Sequence, residues 1–264
     1  MKKMNLLYHI ILLLTFVTTC VYAAEPIKEW TRLLGSGGYD YGRGITTDSA
    51  GNIYVTGFTS GAVDGQAYAG SMDICVIKYN SSGTKQWTRL SGTNKSDRGY
   101  DITTDSAGNI YVTGVTSGAL DGQTNAGSND ICVIKYNSSG TKQWTRLSGT
   151  SASEYGYGIA TDSAGNIYVT GFTSGAVDGQ AYAGSMDICV IKYNSSGTKQ
   201  WTRLSGTSAS EYGYGIATDS AGNIYVTGFT SGAVDGQAYA GSMDICVIKY
   251  NSSGTKQWTR LSGT

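Results

Sequence analysis

Apolar residues in this chain fall in short consecutive runs, Ile167-Tyr168-Val169 and Ile188-Cys189-Val190-Ile191 among them, parted by Gly, Ser and Asn. Such runs, rich in β-branched and aromatic side chains, predict strands. Their lack of apolar/polar alternation predicts sheets covered on both faces. Within one stretch the pattern gives four strands, roughly Tyr157–Thr161, Asn166–Thr173, Asp187–Tyr193 and Lys199–Leu204. Asp162-Ser163-Ala164-Gly165 separates the first two and Asn194-Ser195-Ser196-Gly197 the last two. Each begins with an Asx residue and ends with Gly, the signature of a type I turn closed by a glycine bulge, so both predict tight antiparallel hairpins. The other two connections, about 174–186 and 205–213, are long and Gly-rich.

The whole pattern repeats every 57 residues, with Trp30, Trp87, Trp144, Trp201 and Trp258 marking the period. The units are 30–86, 87–143, 144–200 and 201–257, and 258–264 starts a fifth; the third and fourth units are identical at every position. One such unit cannot bury both faces of its own sheet, so neighbours must stack. An all-β fold follows: a β-propeller of four-stranded antiparallel blades, which covers both faces of each sheet and leaves only short edges. A two-layer sandwich would place polar residues at every second position, and a β-helix coil is far shorter than this unit. Residues 29–35 read as one surplus N-terminal outer strand, although Gln257–Leu261 already supplies the fourth strand of the last blade. Three closures stay open: a tight four-bladed ring, an open arc of a larger propeller, or two chains completing one ring through their open blade edges.

Tyr155-Gly156-Tyr157-Gly158-Ile159-Ala160-Thr161-Asp162-Ser163-Ala164-Gly165-Asn166-Ile167-Tyr168-Val169-Thr170-Gly171, followed by Asp187-Ile188-Cys189-Val190-Ile191-Lys192-Tyr193 and by Ser196-Gly197 before Trp201, resembles the bacterial β-propeller repeat family known as SBBP. The resemblance covers nearly all of 29–264. It implies the propeller fold and an exported bacterial setting, without one assigned activity. Ile188-Cys189 stands where Ala-Phe is common in the family, and Gly175-Ala176-Val177-Asp178-Gly179 replaces a frequent Phe-Pro.

Ahead of the repeats, Lys2 and Lys3, the apolar stretch Leu6 to Val17 and Val21-Tyr22-Ala23 have the layout of a signal peptide spanning 1–23, leaving a repeat domain of 24–264. Export to the periplasm, cell surface or exterior is the expectation. Val17-Thr18-Thr19-Cys20 offers an alternative processing point with a lipid anchor at Cys20. Losing Lys2 and Lys3 leaves 17 basic against 19 acidic residues, so nothing favours a nucleic-acid partner. No membrane span is expected in the mature chain.

The only histidine, His9, lies in the leader, which denies the mature repeats a Ser-His-Asp triad or a histidine-bound zinc. No enzymatic activity is expected, and a carboxylate-based or calcium-dependent glycan-processing enzyme is the remote alternative. Cys75, Cys132, Cys189 and Cys246 repeat at one position per unit and read as buried free thiols. Candidate ligand contacts fall on a long-loop face. They are Asp64, Gln66 and Tyr68; Asp121 and Gln123; Asp178, Gln180 and Tyr182; Asp235, Gln237 and Tyr239; and, from the other long connection, Glu154, Tyr155, Glu211 and Tyr212. Tyr with amide and carboxylate groups in Gly-rich loops suits a glycan or protein ligand. Asp178, Gln180 and loop carbonyls are also hard oxygen donors of the type calcium takes, though without an EF-hand or β-roll spacing. A structural spacer or assembly element without a specific ligand is the alternative function.

Overall fold

The computed structural model describes residues 28–264, as a short N-terminal unit up to Thr31 and a large unit, Arg32–Thr264. The expected signal peptide, its expected cleavage point after Ala23 and Cys20 lie outside the described residues. The large unit holds sixteen strands in four antiparallel sheets, each with its strands in chain order. Blade 1 is β1 Asp40–Thr47, β2 Ile53–Thr59, β3 Asp73–Tyr79 and β4 Lys85–Ser91. Blade 2 is β5 Asp97–Thr104, β6 Ile110–Thr116, β7 Asp130–Tyr136 and β8 Lys142–Ser148. Blade 3 is β9 Glu154–Thr161, β10 Ile167–Thr173, β11 Asp187–Tyr193 and β12 Lys199–Ser205. Blade 4 is β13 Glu211–Thr218, β14 Ile224–Thr230, β15 Asp244–Tyr250 and β16 Lys256–Ser262.

The two hairpins in each blade form as their residues dictate. Gly165 takes φ 76° and donates its N–H to the Asp162 carbonyl, while Asp162 Oδ1 accepts the backbone N–H groups of Ala164 and Asn166. Tyr168 donates its hydroxyl to the same carboxylate, tying the turn to the second strand. Both tight turns of a blade lie at one end of its strands and the long connections at the other.

Consecutive runs of apolar residues are consecutive because each blade buries both faces. Tyr54, Ile74 and Val76 on the forward face of blade 1 pack on Ile102, Val112, Cys132 and Ile134 on the rear face of blade 2. The same residues, one period on, build the cores between blades 2 and 3 and between blades 3 and 4. Hydrogen bonds follow the same rule: Arg89 Nε donates to the Gly140 carbonyl of the next blade at 2.8 Å, Lys78 Nζ to Ser138 at 3.1 Å, and Thr104 Oγ1 back to Thr47 at 3.1 Å. The four cysteines are buried and unbridged, and burial pushes the Cys75 thiol up to about 12.

First strands β1, β5, β9 and β13 pack side by side in that order, but β1 and β13 are not packed on each other as the three consecutive pairs are. Within the large unit the blades therefore form an open arc. Residues 32–39 carry no strand, yet Arg32 Nε reaches the Gly83 carbonyl at 2.9 Å, the contact that Arg89 makes one period later.

Candidate functional site

The long connections hold several of the residues expected of them against their own blades. In loop 174–186, Val177 is buried and Asp178 turns back with φ 51° to accept Lys199 Nζ and Thr202 Oγ1 from β12 of its own blade. Asp64, Asp121 and Asp235 do the same with Lys85, Lys142 and Lys256. These carboxylates fasten the loop to the outer edge strand. Asp178 is thus engaged by a lysine and a threonine instead of standing open for calcium. Among the described residues no three His, Cys, Asp or Glu side chains converge as a metal site. Gln66, Gln123, Gln180 and Gln237 are half-buried, as is Tyr239. Tyr68 and Tyr182 are half-buried too, their hydroxyls donating to the carbonyls of Ser71 and Ser185. An open depression of about 490 Å³ runs along the edge of blade 2, between Asp121, Gln123 and the side chains of Lys142, Trp144 and Arg146.

The second long connection is shorter than the pattern implied, because β9 starts at Glu154 and β13 at Glu211. That moves four of the candidate residues out of the loops and into the first strands. Glu154 is fully buried and accepts Thr150 N–H, Thr150 Oγ1 and Thr173 Oγ1, a structural role that Glu211 repeats. Its neighbour across the strand ends, Asp130, is also buried, with one carboxylate oxygen lacking any partner. Burial pushes the Asp130 carboxyl up, the Ala126 N–H opposes this, and the Glu154 charge adds to it.

Tyr155 and Tyr212 lie on a surface the sequence reading did not assemble. Each first strand carries a β-bulge, and the residue left without a ladder partner is Arg43, Tyr100, Tyr157 or Tyr214. A bulge re-aims the extra side chain, here beside the aromatic or arginine two positions before it. The result is a continuous wall along the inner strands. Tyr155 stacks on Phe172 with centroids 5.0 Å apart, Tyr157 lies 5.1 Å from Tyr100 and 5.3 Å from Tyr214, and Phe172 meets Tyr212 at 4.6 Å. At the blade 1 end the rings give way to cations, Arg43 and Arg98 both lying over Phe58. Gly156 lets the strands come this close: a Cβ there would lie 3.0 Å from Ile131 Cγ2 and collide with Thr113 Oγ1. Asp101 occupies the place that Gly44, Gly158 and Gly215 hold in the other blades, and its carboxylate accepts the Ile159 N–H of blade 3 at 2.9 Å.

Burial, and then the neighbouring Tyr100 and Tyr214, push Tyr157 up from its ordinary value, so it stays a neutral phenol that donates and accepts. The signal for this wall was present in the alternation Tyr-Gly-Tyr-Gly opening each of the last two first strands.

A family model described as a beta-propeller repeat, SBBP, matches four times, at 29–63, 86–120, 143–177 and 200–234. The chain belongs to the SBBP repeat family. It is 28% identical over 90% of its length to an uncharacterized WD repeat-containing protein of Acanthamoeba polyphaga mimivirus, and 26% identical over 80% to the regulatory protein FlaEY of Caulobacter vibrioides. It spans only 22% and 23% of those two relatives. A solved protein of unknown function from Bacteroides caccae aligns over 84% of this chain and 81% of its own, at 12% identity and a TM-score of 0.39.

Proposed function

We propose that this SBBP repeat chain is an exported, non-catalytic binding module whose ligand lies across the inner-strand wall. The observation that carries the reading is the bulge-directed row of Tyr100, Tyr157 and Tyr214 backed by Tyr155 and Tyr212. Rings tilted against one another in a row offer apolar surface and phenolic hydroxyls together, which suits a sugar chain with one apolar face and many hydroxyls. Arg43 and Arg98 at one end favour an acidic sugar there. The lysines and apolar run of the leader support export, and the lack of histidine after His9 supports a role without catalysis.

Affinity electrophoresis through gels containing neutral or uronic-acid polysaccharides tests this. Retardation is expected in at least one gel, relieved by Tyr157→Ala with Tyr214→Ala. Retardation by an acidic polymer should weaken further with Arg98→Ala. Unretarded migration throughout would sink the reading in favour of a structural spacer.

A further inference from the structure

Blades 1 and 4 each leave one face of the repeating interface uncovered, and the two uncovered faces are the two halves of that interface. On the rear face of blade 1, Ile45 is 69% exposed, whereas its equivalents Ile102 and Ile159 are 3% and 4% exposed. On the forward face of blade 4, Ile245 is 59% exposed, against 0 to 1% for Ile74, Ile131 and Ile188. Around them Val55, Ile77, Tyr225 and Val247 are half-buried where their internal counterparts are buried.

The hydrogen-bonding groups divide in the same way. Lys78, Lys135 and Lys192 each donate to a serine carbonyl one blade on, but among the described residues Lys249 has no such acceptor and the Ser81 carbonyl has no lysine donor. Thr104, Thr161 and Thr218 each donate back to a threonine carbonyl, leaving the Thr47 hydroxyl and the Thr218 carbonyl as an unmatched pair. Tyr41 and Tyr214, at the two ends of the aromatic wall, are both 49% exposed.

We infer that a second copy of this chain docks head-to-tail on the first, the forward face of each blade 4 covering the rear face of the other's blade 1. Two arcs of four blades then close as an eight-bladed ring, within the range that propellers adopt. Such contacts use two different surfaces, and a ring forms when the rotation closes. Ile245 of each copy packs where Ile74 packs on blade 2, Lys249 reaches Ser81, and Thr47 reaches Thr218. Arg32 sits on the Gly83 carbonyl that Arg260 of the second copy would use, so Arg32 gives way there. Closure also joins the two ends of the tyrosine wall, although the pairing does not depend on any ligand.

Light scattering and sedimentation velocity on the full chain should give twice the chain mass. A monomer would overturn the inference, as would a ladder of larger species that signals open head-to-tail filaments. Ile45→Glu and Ile245→Glu each alter an exposed residue, so both variants should keep the β-sheet circular dichroism of the parent. Each alone should be monomeric, the dissociation constant raised on the order of 100-fold or more by a carboxylate caught in an apolar contact. Mixed in equal amounts at high concentration, they should recover a two-chain species, because each supplies the face that the other lacks. A dimer that survives either substitution, or a mixture that stays monomeric, would rule out head-to-tail pairing.

Discussion

Aspartates in this protein respond to pH in two opposite ways, according to what their oxygens touch. Burial alone would raise the Asp162 carboxyl, but hydrogen bonds from the Asn166 side chain and backbone, Tyr168 and Ala164 together hold it below the ordinary 3.8. The Asp219 carboxyl, with the Asn223 amide as its strongest partner, is held down at about 2. Carboxyls lowered in the folded state stabilise fully above their unfolded value, and the contribution is lost as pH falls through the folded one. Asp73, Asp130 and Asp187 are raised by burial, each next to a second acid one blade on. When ionised they penalise the fold, and the penalty fades as pH falls through their folded values. The thermal unfolding midpoint should therefore rise as pH falls through the folded values of the raised carboxyls and then fall between about 3.8 and 2. Asp130→Asn keeps an acceptor for the Ala126 N–H and replaces the orphaned oxygen with a donor facing Glu154. It should stabilise the protein at pH 7, on the order of 1 kcal/mol, and flatten the acid-side rise. A lower midpoint at pH 7 would show that the buried carboxylate has a partner that compensates its charge.

Elements whose course depends on neighbouring residues were legible, and those placed by contacts across the blade were not. Strand β11 runs Asp187–Tyr193 as its apolar run implies, and both four-residue turns close as their Asx and Gly residues require. Strand β9 starts three residues before Tyr157, because Gly156 and Gly158 lower strand propensity locally and only packing against β5 and β13 compensates. The Tyr-Gly alternation marks the rings of the wall, but the bulge that re-aims Tyr157 is set by pairing with β10 and is not visible in it. Loop 174–186 reads from its sequence only as long and Gly-rich, and its course is set by Asp178 meeting Lys199 and Thr202 across the blade. Partly exposed ion pairs contribute little to global stability, so Asp178→Ala should lower it by about 1 kcal/mol or less. Released from β12, however, the loop should be cut faster by a broad-specificity protease, with cleavage mapping to 174–186 by mass spectrometry. Unchanged cleavage would mean that the loop is held by its other contacts, burial of Val177 and the Ala183 N–H to Asp187 among them.

Across the large unit, stability should be distributed as it is in a linear array, because the extensive contacts between blades join consecutive blades and β1 is not packed on β13 as adjacent first strands are. In such an array the total is the sum of blade terms and interface terms, so a blade can be removed without removing the fold. The sequence permits a clean version of that experiment. Deleting residues 201–257 gives the same product as deleting 144–200, since the two units are identical, and no new junction is created at either end. The deletion is best made together with Ile45→Glu, which keeps chains apart and confines the result to a single arc. The shortened chain should still unfold cooperatively in urea, with a shallower denaturant slope in proportion to the surface lost and a lower midpoint from the loss of one interface out of three. A chain held together by closing its own ring would behave differently: removing one blade would break the closure, and the product would lack a cooperative transition.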